Sequence, residues 1–194
     1  GLNIGQFSNR KLGILELLQR LEAIPSLARI RISSIEPTTI PDALLDYMST
    51  SSKLCRFLHV PLQSGDNGIL HAMNRRYTVE DYSEWVIRVA RKIPDVCIGT
   101  DLMVGFPGEG AQQFAQTCAV VADLPLAYFH VFSYSARPGT AALRLKPQIP
   151  PKIIKERNAS LSELSRAKRA EFYRRFMGRN VSVLFESSES VGWC

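Results

Sequence analysis

The apolar residues of the chain gather in four short runs that predict β-strands. The runs cover residues 28–34 (ARIRISS), 55–62 (CRFLHVPL), 96–104 (VCIGTDLMV) and 126–134 (LAYFHVFSY). They are apolar on successive positions rather than on alternate ones, which is typical of strands that are covered on both faces. We therefore expect the four runs to form a buried parallel sheet.

Apolar residues spaced three and four apart predict helices between these runs. Thr78 and Asp81 form the sequence pattern of a capping box at the start of one helix. Alternating strands and helices are typical of an α/β protein with a parallel sheet. Because a complete (β/α)8 barrel takes about 250 residues, four or five strands in the first 150 predict part of a barrel. The helical faces are marked by Leu17, Leu18, Leu21 and Ile24; Leu44, Leu45, Tyr47 and Met48; Ile69, Leu70 and Met73; Trp85, Val86 and Val89; Phe114, Cys118 and Val121.

The pattern changes after Pro150 and Pro151. Residues 152–177 contain no glycine or proline and predict one helix, about 39 Å long, that stops at Gly178. The following VSVLFE, residues 181–186, predicts a new strand. We therefore expect three parts: a partial barrel over 1–150, a connecting helix over 151–178, and the start of a truncated β-type domain over 179–194.

Composition places the chain among ordinary globular proteins. Of its 194 residues, 45% are hydrophobic and 22% are charged, and no apolar run is long enough to cross a bilayer. The four cysteines lack the spacing of a metal-binding motif, so we expect no metal site and reduced thiols in a cytosolic setting. With no initiator methionine and no signal peptide, the sequence is expected to begin inside a longer gene product.

The net charge of +6 is concentrated in the predicted C-terminal helix. Between Lys152 and Arg179 there are nine basic and three acidic residues, which leaves 15 of each in the rest of the chain. A local excess of this kind suits a polyanion such as RNA. A solvated amphipathic helix explains it equally well at this stage.

Polar or glycine-rich turns follow each predicted strand. In α/β proteins ligands bind at the carboxyl ends of parallel strands, so these turns predict one binding site. Each turn alone is also explained as a helix cap or a tight turn. They contain neither a Walker A loop nor a GxGxxG motif, and they lie at 35–37 (IEP), 63–66 (QSGD), 105–109 (GFPGE) and 135–140 (SARPGT).

The polar residues inside the strand runs include two histidines and one aspartate. We expect His59 and His130 to be satisfied core histidines more often than ligands or bases. A buried carboxylate is costly unless it is paired, so we expect Asp101 to point to the barrel mouth or to meet an arginine.

Four segments of the chain are residues 28–37 (ARIRISSIEP), 59–77 (HVPLQSGDNGILHAMNRRY), 100–109 (TDLMVGFPGE) and 130–140 (HVFSYSARPGT). In order and spacing they together resemble the radical S-adenosylmethionine (SAM) methylthiotransferases. The segment SSIEP most resembles the branch that acts on N6-threonylcarbamoyladenosine in tRNA. The alternatives are the isopentenyladenosine or ribosomal-protein branches, another radical SAM or (β/α)-barrel enzyme such as an aldolase, and a non-catalytic RNA-binding module.

This resemblance implies a partial (β/α)6 radical SAM barrel followed by an RNA-binding TRAM domain. It implies that a methylthio group is added to carbon 2 of an adenine beside the tRNA anticodon. One SAM supplies the methyl group, and another is cleaved reductively to a 5′-deoxyadenosyl radical. The family needs two 4Fe–4S clusters and an electron donor protein. Because the cysteine ligands of both clusters are absent from this sequence, we expect the chain to be inactive alone.

The resemblance also implies roles for individual residues. Gln63 and Ser64 would contact the ribose and methionine parts of SAM. Gly105, Phe106 and Gly108 would lie near its adenine. Arg137 would bind the SAM carboxylate or an RNA phosphate, while Arg31 and Glu36 would lie near the mouth. Arg174 and Arg175 would contact tRNA phosphates. The chain departs from the family pattern at Gly110, Ser133 and Ala136.

Overall fold

The protein is described by a computed structural model, which covers residues 8–9, 12–33, 35–184, 188–189 and 192–193. Three parallel strands form its central sheet, in the order β3–β4–β5. These strands are β3 (Phe57–His59), β4 (Cys97–Val104) and β5 (Tyr128–Ser133). Each lies inside a run predicted from the sequence, so the α/β class with parallel strands is confirmed.

The first predicted run, 28–34, is not a regular strand. Ile30 forms a single parallel bridge with Leu54, and the next contact is from the backbone N–H of Ile35 to the carbonyl of His59 (3.3 Å). Ser34 lies outside the described residues. Among its described residues, the segment therefore pairs at Ile30 with the chain that leads into β3, and Ile35, just after it, bonds to the end of β3.

Helices follow the predicted apolar spacing and cover one face of the sheet. In α4, residues Val79, Tyr82, Val86 and Val89 recur every three or four positions and are all buried. The capping box of Thr78 and Asp81 is present at the start of this helix, as predicted. The helices are α1 (Ile14–Glu22), α2 (Asp42–Thr50), α3 (Asn67–Ala72), α4 (Val79–Lys92), α5 (Ala111–Asp123) and α6 (Pro151–Arg174), with 3-10 turns at Pro37–Thr39 and Ala141–Arg144.

The sheet has one buried face and one open face. Leu58, Ile98 and Leu102 point into a core shared with α2, α4 and α5 and are fully buried. On the opposite face, His59 is half-buried and His130 is exposed. The expectation that both faces are covered is therefore wrong for this chain, because its three described parallel strands do not close a barrel.

Helix α6 covers the outer edge of the sheet. The backbone N–H of Phe129 in β5 donates to Ser165 Oγ (2.9 Å), and this hydroxyl donates to the carbonyl of Phe129 (2.7 Å). Asn158 Nδ2 donates to the carbonyl of Val131 (3.3 Å). Side chains of α6 thus replace the hydrogen bonds that a further strand would make. The boundary predicted at residue 150 stays a prediction, since α6 packs directly against the sheet.

The C-terminal part differs from its prediction. Helix α6 ends at Arg174, and Gly178, in the left-handed region with φ +73°, follows one further turn. Residues 181–184 form no strand, and 185–187 lie outside the described residues. Val181, Val183 and Leu184 are more than half exposed, so no partner strand among the described residues buries them. Two antiparallel pairs are described near the termini: β1 (Ser8–Asn9) with β2 (Leu12–Gly13), and β6 (Ser188–Glu189) with β7 (Gly192–Trp193).

No described helix is both long and apolar enough to span a membrane.

Candidate active site

Gln63 rejoins the sheet at the carboxyl end of β3. Its backbone N–H donates to the carbonyl of Asp101 (2.8 Å), and its carbonyl accepts from Met103 N–H (2.9 Å). Gln63 has φ +76°, a left-handed conformation that costs a residue with a side chain about 1–3 kcal/mol. Its side-chain amide makes no hydrogen bond within the described part of the chain. A strained residue with an uncommitted amide at a strand end is a candidate for ligand contact.

Ser64 lies beside Gln63, but its hydroxyl makes its contacts within the protein. Ser64 Oγ lies 3.5 Å from Thr117 Oγ1 and accepts from the backbone N–H of Asp66 (3.3 Å). The backbone N–H of Gly65 also donates to Thr117 Oγ1 (2.9 Å). These bonds fix the turn against α5. The role of Ser64 in binding SAM stays a prediction.

The GFPGE turn after β4 is held by a buried ion pair. The Glu109 carboxylate accepts from the backbone N–H of Gly105 (3.1 Å) and from Arg157 Nη1 (2.6 Å). Gly105 and Gly108 have φ of +79° and +91°, which favours glycine. A side chain at Gly105 would also collide with Ile154 of α6. Contacts from Arg157 and Ile154 of α6 therefore fix the conformation of the turn.

The pair of Glu109 and Arg157 is not among the features expected from the sequence. Burial raises the pKa of the Glu109 carboxyl, while its bonds to Gly105 and Arg157 act in the opposite direction. A signal was present, because Arg157 falls in the seam of apolar residues of α6, between Ile154 and Leu161. A charged residue in an apolar seam predicts a buried partner of opposite sign.

Phe106 and Tyr134 form an apolar wall at the end of β4. Phe106 is buried, and its ring meets the Tyr134 ring edge-on at 5.4 Å between centroids. The backbone N–H of Tyr134 donates to the carbonyl of Val104 (2.8 Å). The Tyr134 hydroxyl is buried and has no hydrogen-bond partner among the described residues. An orphaned hydroxyl beside an aromatic wall is a further sign of a ligand site.

The structure brings some of the predicted site residues together. The carboxyl end of β4 holds three of them. Gln63 is placed there by its backbone bonds to Asp101 and Met103, and Gly105 and Phe106 directly follow the strand. Arg137 is exposed on the loop after β5 and makes no side-chain hydrogen bond or ion pair within the described ranges. The end of this loop returns to the turn, since Gly108 N–H donates to the carbonyl of Pro147 (2.9 Å). The placement of Arg137 in the site stays a prediction.

The structure differs from two expectations about polar residues. Asp101 does not meet an arginine among the described residues, since its Oδ1 lies 3.0 Å from His59 Nε2; its position at the barrel mouth stays a prediction. The guanidinium of Arg31 lies 3.7 Å from the centre of the Phe57 ring. Because Phe57 begins β3, Arg31 lies at the amino end of the strands and not near the mouth.

Many basic residues of the C-terminal segment are committed to contacts within the fold. Lys168 Nζ donates to the carbonyl of Leu124 (2.7 Å), and burial lowers the pKa of its ammonium group. Arg175 and Arg179 both reach Asp95, at 3.7 and 2.7 Å. Arg174 is exposed and makes no hydrogen bond or ion pair with any described residue. The charge is thus only partly available to a polyanion.

The cysteines do not fit an iron–sulfur cluster. Cys55, Cys97 and Cys118 are free and partly buried, and no three of the described cysteines gather into a ligand group. Burial raises the pKa of the Cys97 thiol to about 11 and also raises that of Cys118. Cluster binding requires thiolates, so these thiols are poor ligands.

Two curated relatives match almost the whole chain. The tRNA-2-methylthio-N(6)-dimethylallyladenosine synthase of Acetivibrio thermocellus is 37% identical over 88% of this chain and 36% of its own length. The threonylcarbamoyladenosine tRNA methylthiotransferase MtaB of Aquifex aeolicus is 37% identical over 95% of this chain and 45% of its own length. The chain therefore spans less than half the length of these relatives.

A solved structure shares the fold. The chain resembles coproporphyrinogen III oxidase (HemN) of Escherichia coli, a radical SAM enzyme, with a TM-score of 0.60 and 23% identity over 80% of this chain and 38% of that one. The family model of the radical SAM superfamily matches residues 8–121, which is more than half of the sequence. Together with the parallel strands and the turns at their carboxyl ends, this match shows that the chain belongs to the radical SAM superfamily.

Proposed function

We propose that this chain is the barrel portion of a tRNA methylthiotransferase. The observation that carries the proposal is the 37% identity, over at least 88% of the chain, to two relatives whose names specify methylthio transfer to a tRNA adenosine. The strained Gln63 and the orphaned hydroxyl of Tyr134 support a ligand site at the strand ends. Both features are unexplained by packing alone.

SAM fits the groups that the strand ends present. When bound, SAM supplies the methyl group and, after reductive cleavage, the radical. The free amide of Gln63 offers a donor and an acceptor, which suits the hydroxyls of a ribose or the amino-acid part of SAM. Phe106 offers an apolar surface to an adenine, and Arg137 offers a bidentate donor to a carboxylate or phosphate. Ser64, Gly105 and Gly108 shape these turns.

The iron–sulfur clusters of the proposed enzyme would be held outside this chain. The described cysteines do not fit them, so the chain alone is expected to be inactive. An electron donor protein and the tRNA anticodon loop are the partners proposed for the complete enzyme.

The proposed substrate is N6-threonylcarbamoyladenosine. Support comes from the SSIEP segment at residues 33–37 and from the Aquifex relative. The Acetivibrio relative, with a dimethylallyladenosine substrate in its name, is equally identical. Isopentenyladenosine is therefore the second candidate.

Nucleoside analysis of cellular tRNA tests both the proposed methylthiotransferase function and the proposed substrate. We expect deletion of the gene to remove the 2-methylthio form of threonylcarbamoyladenosine and to leave the unmodified precursor, as measured by liquid chromatography and mass spectrometry. Restoring the gene should reverse the change. Loss of 2-methylthio-isopentenyladenosine instead would contradict the substrate. No change in either nucleoside would contradict the function.

A further inference from the structure

Three potential metal ligands meet on the open face of the sheet. His59 of β3, Asp101 of β4 and His130 of β5 each direct one ligand atom into a group whose members all lie within 4.8 Å of one another. His59 Nε2 and Asp101 Oδ1 are 3.0 Å apart. The proposed SAM site does not use any of these side chains.

Strand register explains why the three side chains meet. Asp101 pairs directly with His130 across β4 and β5, while His59 pairs with Gly99, two residues before Asp101. Residues two apart on a strand share a face, so all three lie on the same side of the sheet. The two histidine rings are 5.6 Å apart between centroids.

The orientation of His59 is fixed by a second bond. Its Nδ1 lies 3.2 Å from the hydroxyl of Tyr128. The Tyr128 ring crosses Gly99 to make this contact, and a Cβ at position 99 would lie 2.6 Å from the Tyr128 hydroxyl. Histidines that bind metals usually donate their second N–H to an outer partner, which orients the ring and sets the tautomer. With Tyr128 as that partner, the Nε2 lone pair of His59 faces Asp101 Oδ1, 3.0 Å away, and both atoms can bind one metal.

We propose that His59, Asp101 and His130 bind one divalent transition-metal cation, with zinc as the best match. Two imidazoles and one carboxylate form a ligand set that suits zinc and its neighbours in the first transition row. Two ligands about 2.1 Å from one ion lie roughly 3.0–3.4 Å apart, which is compatible with the spacing of His59 and Asp101. The remaining coordination positions would face the open side of the sheet.

The proposed metal site is accessible to solvent, and the positively charged side chains near it are held in other contacts. The side chains of His59 and Asp101 are 15% and 21% exposed, and His130 is exposed, so an ion can enter from solvent. Arg31 and Arg169 line the same cavity as His130, and their guanidiniums are held over the rings of Phe57 and Tyr128. The proposal is independent of the proposed function.

Equilibrium dialysis against zinc chloride tests the site on the purified full-length protein. We expect the wild type to retain one more zinc ion per chain than His130→Ala, as measured by elemental analysis. The imidazole of His130 makes no hydrogen bond within the described part of the chain, so its loss should leave the fold intact, which circular dichroism checks. The matched control is His71→Ala, on the exposed surface of α3, which should retain the wild-type zinc.

Two further variants identify the ligands. Tyr128→Phe keeps the three ligands but removes the bond to His59, and we expect zinc affinity to fall about tenfold. Cys97→Ser changes a thiol on the same face and should leave zinc binding unchanged. Equal zinc in wild type and His130→Ala would overturn the proposal and leave only a hydrogen-bonded chain from Asp101 through His59 to Tyr128. Loss of the zinc in Cys97→Ser would contradict the ligand set.

Discussion

Glu22 shows how one side chain joins distant parts of the chain. At the end of α1, its carboxylate accepts from Ser51 Oγ (2.6 Å), from the backbone N–H groups of Ser52 (3.1 Å) and Lys53 (3.3 Å), and from the Tyr47 hydroxyl. These bonds, led by that of Ser51, lower the pKa of Glu22 to about 2. The carboxylate thus fixes the turn after α2 against α1.

The free energy of unfolding should fall at low pH as the Glu22 carboxylate becomes protonated. Because the pKa of Glu22 is lower in the folded state than in an unfolded chain, its ionised form stabilises the fold above about pH 4.5, and this contribution is lost as the pH falls toward 2. We expect Glu22→Gln to be less stable than wild type at pH 6 and to approach it at pH 3, in urea unfolding. Glu16→Gln, on the same helix, should follow the wild-type pH dependence. If the free energies of unfolding of wild type and Glu22→Gln changed in parallel with pH, the stabilising role of the Glu22 carboxylate would be contradicted.

Helix α6 is the element whose role changes most between sequence and structure. Its length and charge predict a basic connector, and the helix itself is confirmed. The structure adds that Ser165 and Asn158 close the edge of β5, while Arg157 supports the GFPGE turn. These contacts join residues more than 20 positions apart, so local spacing could not predict them.

Removal of the Ser165 hydroxyl tests this edge cover. Ser165→Ala leaves the buried N–H and carbonyl of Phe129 without partners, so we expect the free energy of unfolding to fall by about 1–3 kcal/mol. Chemical denaturation measures this change. Ser160→Ala, at an exposed position of the same helix, should be neutral or slightly stabilising. A Ser165→Ala protein as stable as Ser160→Ala would show that α6 does not close the sheet in this way.

At the scale of the whole molecule, local patterns predicted the elements better than their contacts. Three of four strand runs and the helices were confirmed, since apolar periodicity is a local property. The strand predicted at 181–186 is wrong over 181–184, because strand propensity needs a partner that the described chain does not supply. The pairing of Asp101 with His59 and the conformation of Gln63 depend on tertiary structure and were not predicted.

The uneven charge of the molecule leads to a prediction about tRNA. The family resemblance implies phosphate contacts for both Arg174 and Arg175, yet Arg175 already contacts Asp95. We expect Arg174→Glu to weaken tRNA binding by the complete protein and to reduce the slope of log affinity against log salt by about one. Arg91→Glu makes the same charge change at an exposed position of α4 and is the control. Filter binding over a range of salt concentrations measures both, and identical slopes for wild type and Arg174→Glu would contradict the contact.

The SAM site proposed at the strand ends is tested most directly at Gln63. Gln63→Gly removes the amide but relieves the positive φ, so the variant should fold at least as well as wild type. Asn74→Gly is the matched control, because Asn74 also has a positive φ (58°) and lies in the turn after α3. The measurement is the SAM dissociation constant of the complete, cluster-loaded protein. We expect about tenfold weaker binding in Gln63→Gly and no change in Asn74→Gly; equal affinity in wild type and Gln63→Gly would contradict the SAM site.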